Sequence, residues 1–139
     1  MKLQHKLYVS YLRSNRTTRD LGCFTLGEES FDPIFIGRGT FGVQEEPANP
    51  SDLVRMVGQK IYLANWSGVT SDVQPDHFML EWEASQRTYL VTEGNGRVKI
   101  QGRCSPNGAG RYSLFSTGTR ILVSPTLPTI GFEPEYGVS

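Results

Sequence analysis

The sequence has few of the residues that mark metal-binding proteins. Its 139 residues include two cysteines, Cys23 and Cys104, and two histidines, His5 and His77. The cysteines have no C-x-x-C spacing and neither histidine has a second histidine at ligand spacing, so no zinc site is indicated. We therefore expect free, buried thiols in a reducing compartment, cytoplasmic or nuclear, with no metal and no cofactor.

Long apolar runs and an excess of charge of one sign are also missing. No run approaches the roughly 20 apolar residues that span a bilayer. Residues 1–6 alternate polar and apolar, which predicts a strand and not a signal peptide. Fourteen basic residues balance 14 acidic ones, giving a formal net charge of zero. The composition therefore predicts no membrane insertion and no nucleic-acid partner.

Turn residues and short alternating segments fill most of the chain, with 15 glycines and 8 prolines. Phe78, Leu80 and Trp82 alternate with Met79 and two glutamates, which predicts one buried face with Trp82 in the core. About 10–11 short strand patterns of this kind follow one another along the chain, separated by turn residues. The sequence predicts an all-β fold, a sandwich of mostly antiparallel strands, as a single domain over residues 1–139.

A regular spacing leaves one alternative fold open. Apolar strand starts recur at Leu7, Ile34, Ile61 and Thr88, each 27 residues apart. Such a period is compatible with a β-trefoil, and hence with a carbohydrate-binding module, although the residues between the starts do not match one another.

The longest irregular stretch predicts an extended loop at about 44–58. It opens with acidic residues and carries Pro47 and Pro50. Its second half fits either a short helical turn, with Ser51 as N-cap and Gly58 as stop, or an apolar strand.

Residues 35–43, F-I-G-R-G-T-F-G-V, match the kinase nucleotide loop G-x-G-x-x-G-x-V from Gly37 onward. That fold also needs a strand lysine, an H-R-D segment and a D-F-G segment, and the sequence has none of them. No nucleophile with a neighbouring base is recognisable either. We expect no enzyme and no catalytic residue.

Four blocks, taken in order over about residues 7–133, resemble a forkhead-associated (FHA) domain. They fill the places of the family's Gly-Arg, Ser-x-x-His, Asn-Gly and Gly-Asp-x-Ile segments. The resemblance implies an FHA-like β-sandwich whose loops at one end bind a phosphothreonine peptide. The blocks are residues 36–38 (I-G-R), 74–80 (Q-P-D-H-F-M-L), 93–102 (E-G-N-G-R-V-K-I-Q-G) and 118–123 (G-T-R-I-L-V).

The resemblance also implies which residues hold the phosphate. Arg38 would offer its guanidinium fork, unless it is a surface arginine paired with a nearby acidic residue. The family's serine is Gln74 here, which has no hydroxyl but can donate through its amide. The residue before the Asn-Gly pair is Gly94, where the family often has threonine. Thr70 or Ser71 would then supply the missing hydroxyl.

The remaining implied residues belong to the loops themselves. Asn95 would bind the peptide backbone, and Arg97 follows it in the same loop. His77, with Gly37 and Gly96, would support the loops, the imidazole by bonding loop backbone.

The leading hypothesis is a non-enzymatic protein–protein interaction module, a signalling scaffold that binds a phosphothreonine-containing or acidic peptide. Trp66 lies beside the implied binding loop and would be an exposed aromatic anchor. The alternative is a structural subunit of a larger assembly, such as a secretion ring or virus particle, with the same fold and no phosphopeptide.

Overall fold

The computed structural model describes residues 2–115 and 117–138, and most of this part of the chain lies in β-strands. No helix in it is long and apolar enough to cross a membrane. The strands are β1 (Gln4–Leu12), β2 (Thr18–Gly27), β3 (Ile34–Val43), β4 (Val54–Val57), β5 (Lys60–Trp66), β6 (Phe78–Glu83), β7 (Thr88–Glu93), β8 (Lys99–Gln101), β9 (Cys104–Pro106), β10 (Arg111–Leu114), β11 (Arg120–Leu122) and β12 (Thr129–Val138), and a 3-10 helix spans Pro50–Asp52.

Hydrogen bonding arranges these strands in two sheets. One has five strands in the order β2-β1-β12-β11-β8, and the other has seven in the order β4-β5-β3-β6-β7-β10-β9. Among the described strands every pair is antiparallel except β3 with β5. The predicted all-β sandwich is confirmed. The β-trefoil alternative is wrong, because two sheets share one core.

That core lies between the two sheets and explains the alternation in the sequence. In β1, His5, Leu7 and Val9 are buried while the residues between them are half-buried. Phe132 of β12 is fully buried, and its ring meets that of Phe78 of β6 edge-on with centroids 5.6 Å apart. Because β12 and β6 belong to different sheets, this contact joins the layers.

Residues 44–58 differ from the predicted extended loop. The side chain of Asn49, not Ser51, caps the 3-10 helix by accepting a hydrogen bond from the Ser51 amide. β4 follows and pairs antiparallel with β5, so the strand reading of this stretch is the one observed. The Glu46 carboxylate forms ion pairs with Arg13 at 2.8 Å and Arg19 at 2.9 Å, which fix the irregular part against β2.

One of the two tryptophans differs from its predicted place. Trp66 is 6% exposed and its ring lies 4.8 Å from that of Tyr11, so it is core and not an exposed anchor. The reason lies in β5, where Leu63 and Ala64 are both buried and the strict alternation is interrupted. Trp82 shares the core-facing parity of β6, is half-buried and packs against the core, with its ring centroid 4.6 Å from that of the buried His5.

The two cysteines are free, but both are exposed and not buried as expected. Cys23 lies on β2 and Cys104 on β9, each the end strand of its sheet. The side chains of an edge strand are more exposed to water because the strand has a neighbour on one side only. The sequence does not reveal which strands lie at the sheet edges.

The contact between the sheets predicts a large cost for Phe132→Ala. Removing a fully buried phenylalanine should lower the free energy of unfolding by about 3–5 kcal/mol. Phe115→Ala is the control, because Phe115 is 52% exposed, and it should change stability by about 0.5 kcal/mol or less. Urea unfolding followed by tryptophan fluorescence measures both, and equal effects would contradict the assigned core.

Candidate functional site

The loop at 74–77 lies directly against β3, as an added strand would. The Arg38 amide donates to the Gln74 carbonyl at 3.0 Å, and the His77 amide donates to the Ile36 carbonyl at 3.0 Å. Between these two bonds, a side chain on Gly37 would collide with the carbonyl oxygen of Pro75. Glycine is therefore needed at 37 so that two backbones can approach closely.

The loop at 93–97 is fastened to the same segment. The Asn95 amide donates to the Asp76 carbonyl at 2.8 Å, and the Gly94 amide donates to the His77 carbonyl at 2.9 Å. Gly96 is buried against the imidazole of His77, where a Cβ would overlap the ring. The two loops and the middle of β3 thus form one hydrogen-bonded junction.

The imidazole of His77 lies at the centre of this junction and is 1% exposed. Its Nδ1 accepts a hydrogen bond from the Gln74 amide at 3.1 Å, so the ring proton must sit on Nε2. Nε2 then donates to the carbonyls of Arg97 at 2.8 Å and Val123 at 3.1 Å. Burial lowers the pKa of His77, although the backbone carbonyls oppose part of that shift. A neutral imidazole therefore joins three segments.

Three of the predicted binding residues line one depression of about 260 Å³ at this end of the sandwich: Gln74, Asn95 and Arg97. In the described part of the chain, the side-chain amides of Gln74 and Asn95 have no hydrogen-bond partner. Arg97 is exposed and lies 3.4 Å from the carboxylate of Glu93. That carboxylate is mostly buried and accepts a hydrogen bond from the Val98 amide at 2.8 Å, so it belongs to the loop framework.

Arg38 lines a second groove, which it shares with Arg55, Lys60 and Pro75, the residue that follows Gln74. Its guanidinium forms no ion pair or side-chain hydrogen bond within residues 2–115 and 117–138. The alternative role, pairing with a nearby acidic residue, is not observed. The cation remains free for an external anion.

The two residues expected to replace the family's hydroxyl do not lie in either concavity. Thr70 is 2% exposed, and its hydroxyl donates to the Ala64 carbonyl at 2.7 Å and accepts from the Trp66 amide at 2.8 Å. Thr70 is therefore unavailable to a partner, contrary to the expectation. Ser71 is exposed, but its hydroxyl accepts from the Gly68 amide at 2.9 Å within its own turn.

The cationic residues Arg55 and Lys60 were not predicted as site residues. Arg55 lies within the predicted loop at 44–58, and nothing in the sequence places Lys60 beside it. The signal that could have found them is the apolar strand pattern at 54–57, closed by Gly58 at a positive φ of 59°. A hairpin at that point brings Arg55 beside the strand that carries Lys60.

The described residues contain no group of three or more His, Cys, Asp or Glu side chains that could hold a metal ion. The arrangement instead offers amides and guanidinium groups on a fixed backbone. Such groups bind peptide backbone and anions through hydrogen bonds.

Comparisons with known proteins add little to this geometry. No family model and no curated protein matches the sequence. A solved structure titled "Engineered FHA with Myc-pTBD peptide" superposes with a TM-score of 0.48 at 14% identity, covering 96% of this chain and 91% of that one. Because a likeness at this level says nothing about ligands, the site has to be judged from its own contacts.

The close approach at Gly37 predicts that Gly37→Ala is destabilising. The added methyl group meets backbone that cannot rotate away, and overpacking of this kind costs about 1–3 kcal/mol. Gly42→Ala on the same strand is the control, because its nearest neighbour would be the Asn65 carbonyl at 3.3 Å. Thermal unfolding should separate the two variants, and equal melting temperatures would contradict the loop placement.

The buried histidines predict that the protein loses stability in mild acid. Burial lowers the pKa of both His77 and His5 from 6.5, so below that pH the unfolded chain binds protons that the folded chain does not. The free energy of unfolding should therefore fall as pH drops through 6.5, by up to about 1.4 kcal/mol per pH unit for each histidine. Urea titrations between pH 7.5 and 5.5 measure it, and a flat profile would contradict neutral histidines.

Proposed function

We propose that this domain is a non-enzymatic protein-interaction module that binds an extended partner peptide at the end of the sandwich formed by the loops at 74–77 and 93–97. The peptide would lie across Pro75, between the depression lined by Gln74 and Asn95 and the groove that contains Arg38. An anionic side chain of the peptide, phosphothreonine in the first place, would bind Arg38.

One observation carries this proposal: a rigid backbone junction presents polar side chains that have no partner of their own. The loops are fixed by backbone hydrogen bonds and by the neutral imidazole of His77. The side chains of Arg38, Gln74 and Asn95 take no part in that network. A preorganised surface loses little conformational entropy on binding, which favours affinity for a ligand that satisfies those groups.

The chemistry of the three side chains suits an extended anionic peptide. Each carboxamide offers one acceptor and two donor hydrogens, which match the carbonyl and amide groups of a peptide backbone. A guanidinium can hold a phosphate through two parallel hydrogen bonds, which are stronger than bonds between neutral groups. These roles require no covalent step, consistent with a binding module.

The test is binding of a degenerate phosphothreonine peptide library and its unphosphorylated twin to the wild type, Arg38→Ala and Arg103→Ala. Arg103 is exposed and outside both concavities, so it controls for loss of surface charge. Selective binding should fall at least about tenfold in Arg38→Ala and persist in Arg103→Ala, as expected for one charge-assisted contact.

Either of two results would count against the proposal. Equal binding of the phosphorylated and unphosphorylated peptides would reject phosphothreonine recognition and leave a module that binds peptides in general. No binding by either library would remove the peptide module, and the assembly-subunit alternative would then be pursued by searching for stable partner subunits.

A further inference from the structure

A cationic groove of about 470 Å³ lies where β3 meets the β4–β5 hairpin, beside Pro75. Three cations from three different strands line it: Arg38 from β3, Arg55 from β4 and Lys60 from β5. The formal net charge of the whole chain is zero, so this concentration of positive charge is local and not a general basic character.

Strand pairing places two of the cations on the same face of the sheet. Arg55 lies directly opposite Tyr62 in the antiparallel pair of β4 with β5. Lys60 precedes Tyr62 by two residues on β5, so both side chains point to the same side. The positions of Arg55 and Lys60 therefore follow from backbone register. Arg38 pairs with Leu63 and lines the groove where the register of β3 with β5 shifts, between Arg38 and Gly42.

Aromatic rings support these cations without neutralising them. The Arg55 guanidinium lies over the ring of Phe41, with its central carbon 4.0 Å from the ring centroid. The Lys60 ammonium lies 5.1 Å from the centroid of Tyr62. Cation–π contacts hold the charged groups near the groove, yet leave their N–H donors available.

Glycine at position 39 makes this aromatic floor possible. A Cβ there would lie 2.8 Å from the ring of Phe41 and 3.1 Å from Cβ of Tyr62. Any larger residue would push the Phe41 ring away from its position beneath Arg55. This gives Gly39 a packing reason to be glycine, separate from the nucleotide-loop pattern that the sequence imitates.

The positive charge of the groove is largely uncompensated. Lys60 faces Asp76 at 3.4 Å, but the side chain of Asp76 is 69% exposed, and such surface pairs are weak. Besides its ring contact, Arg55 donates from Nε to the Ser51 carbonyl at 3.2 Å, which leaves its terminal nitrogens free. Within the described residues neither Arg38 nor Arg55 has an acidic partner.

We propose that Arg55 and Lys60 complete, with Arg38, a three-cation site for the phosphate monoester of a phosphorylated peptide residue. This inference rests on the peptide partner proposed above and adds the residues that bind its phosphate. The hydroxyl donors that the resemblance led us to expect are absent from this groove, and the two hairpin cations supply donors in their place. Three cations with one competing carboxylate, that of Asp76, leave a net charge of about +2. A doubly charged phosphate monoester balances this charge better than a singly charged Asp or Glu side chain of a peptide would.

The occupant is a peptide phosphate and not a nucleic acid or a membrane surface. Polyanions are bound by extended basic surfaces that neutralise several phosphates. Here the cations converge on a single groove in a chain with no excess of positive charge.

Asp76 makes the site testable in both directions. Removing its charge should strengthen phosphate binding, because Lys60 no longer has a competing anion. Asp76→Asn keeps the backbone carbonyl that accepts from the Asn95 amide, so the loop junction stays intact. A variant that only loosened the fold would not tighten binding.

The experiment is a titration of the ¹⁵N-labelled domain with O-phosphothreonine, followed by amide chemical shifts, with threonine at matched ionic strength as control. Shifts should appear at Gly39, Thr40, Arg55 and Lys60. The apparent Kd should rise about tenfold in Arg55→Gln and in Lys60→Gln, the loss expected for one charge-assisted contact. It should fall about two- to fivefold in Asp76→Asn.

Lys99→Gln is the matched control, because Lys99 is exposed on β8 in the other sheet, and its Kd should equal that of the wild type. Three results would overturn the site: no saturable shift, shifts confined to Gln74, Asn95 and Arg97, or binding that is unchanged in Arg55→Gln and Lys60→Gln. Saturable binding in the groove without binding of any library peptide would instead reject the proposed function and keep the phosphate site.

Discussion

The candidate site depends on one buried, neutral imidazole. His77 accepts from the Gln74 amide and donates to the carbonyls of Arg97 and Val123, so three separate segments meet on one ring. A charged imidazole could not do this, because a proton on Nδ1 would face the amide that now donates to it. Burial disfavours that charge and lowers the pKa, so the tautomer and the loop geometry support each other.

Glycines at this junction let the loops pack closely, so that backbone groups and not side chains hold the site together. Gly37 admits the loop at 74–77 against β3, and Gly96 admits the loop at 93–97 against the imidazole. The polar side chains at the surface therefore do not hold the loops together. The side chains of Arg38, Gln74 and Asn95 make no hydrogen bond within the described residues. They can therefore contact a partner without breaking a bond that stabilises the fold.

The sequence predicted what depends on local pattern. Alternation in β1 and β6 indicated strands with one buried face, and the order of the glycine, histidine and asparagine blocks pointed to the end of the sandwich where they meet. It failed at Thr70, which looked available because it lies in a polar stretch, although its hydroxyl is used by the turn that follows β5. It also failed where the outcome depends on which strands become neighbours.

The cationic groove was not predicted either, because it depends on which strands become neighbours. Arg55 and Lys60 are five positions apart and separated by a turn, and nothing local says that this hairpin joins the sheet beside β3. The sequence also predicted an extended loop at about 44–58, because that stretch opens with acidic residues and carries two prolines. The second half of that stretch contains β4, an edge strand, so the loop is shorter than predicted.

The most direct test of this account is the tautomer of the His77 ring, read from its two side-chain nitrogen shifts at neutral pH. We expect a neutral ring with its single N–H hydrogen on Nε2, since Nδ1 accepts a hydrogen bond from the Gln74 amide. A protonated ring, or a hydrogen on Nδ1, would mean that the Gln74 amide does not bond there. The loops at 74–77 and 93–97 would then not be fixed, and the preorganised binding end would not exist.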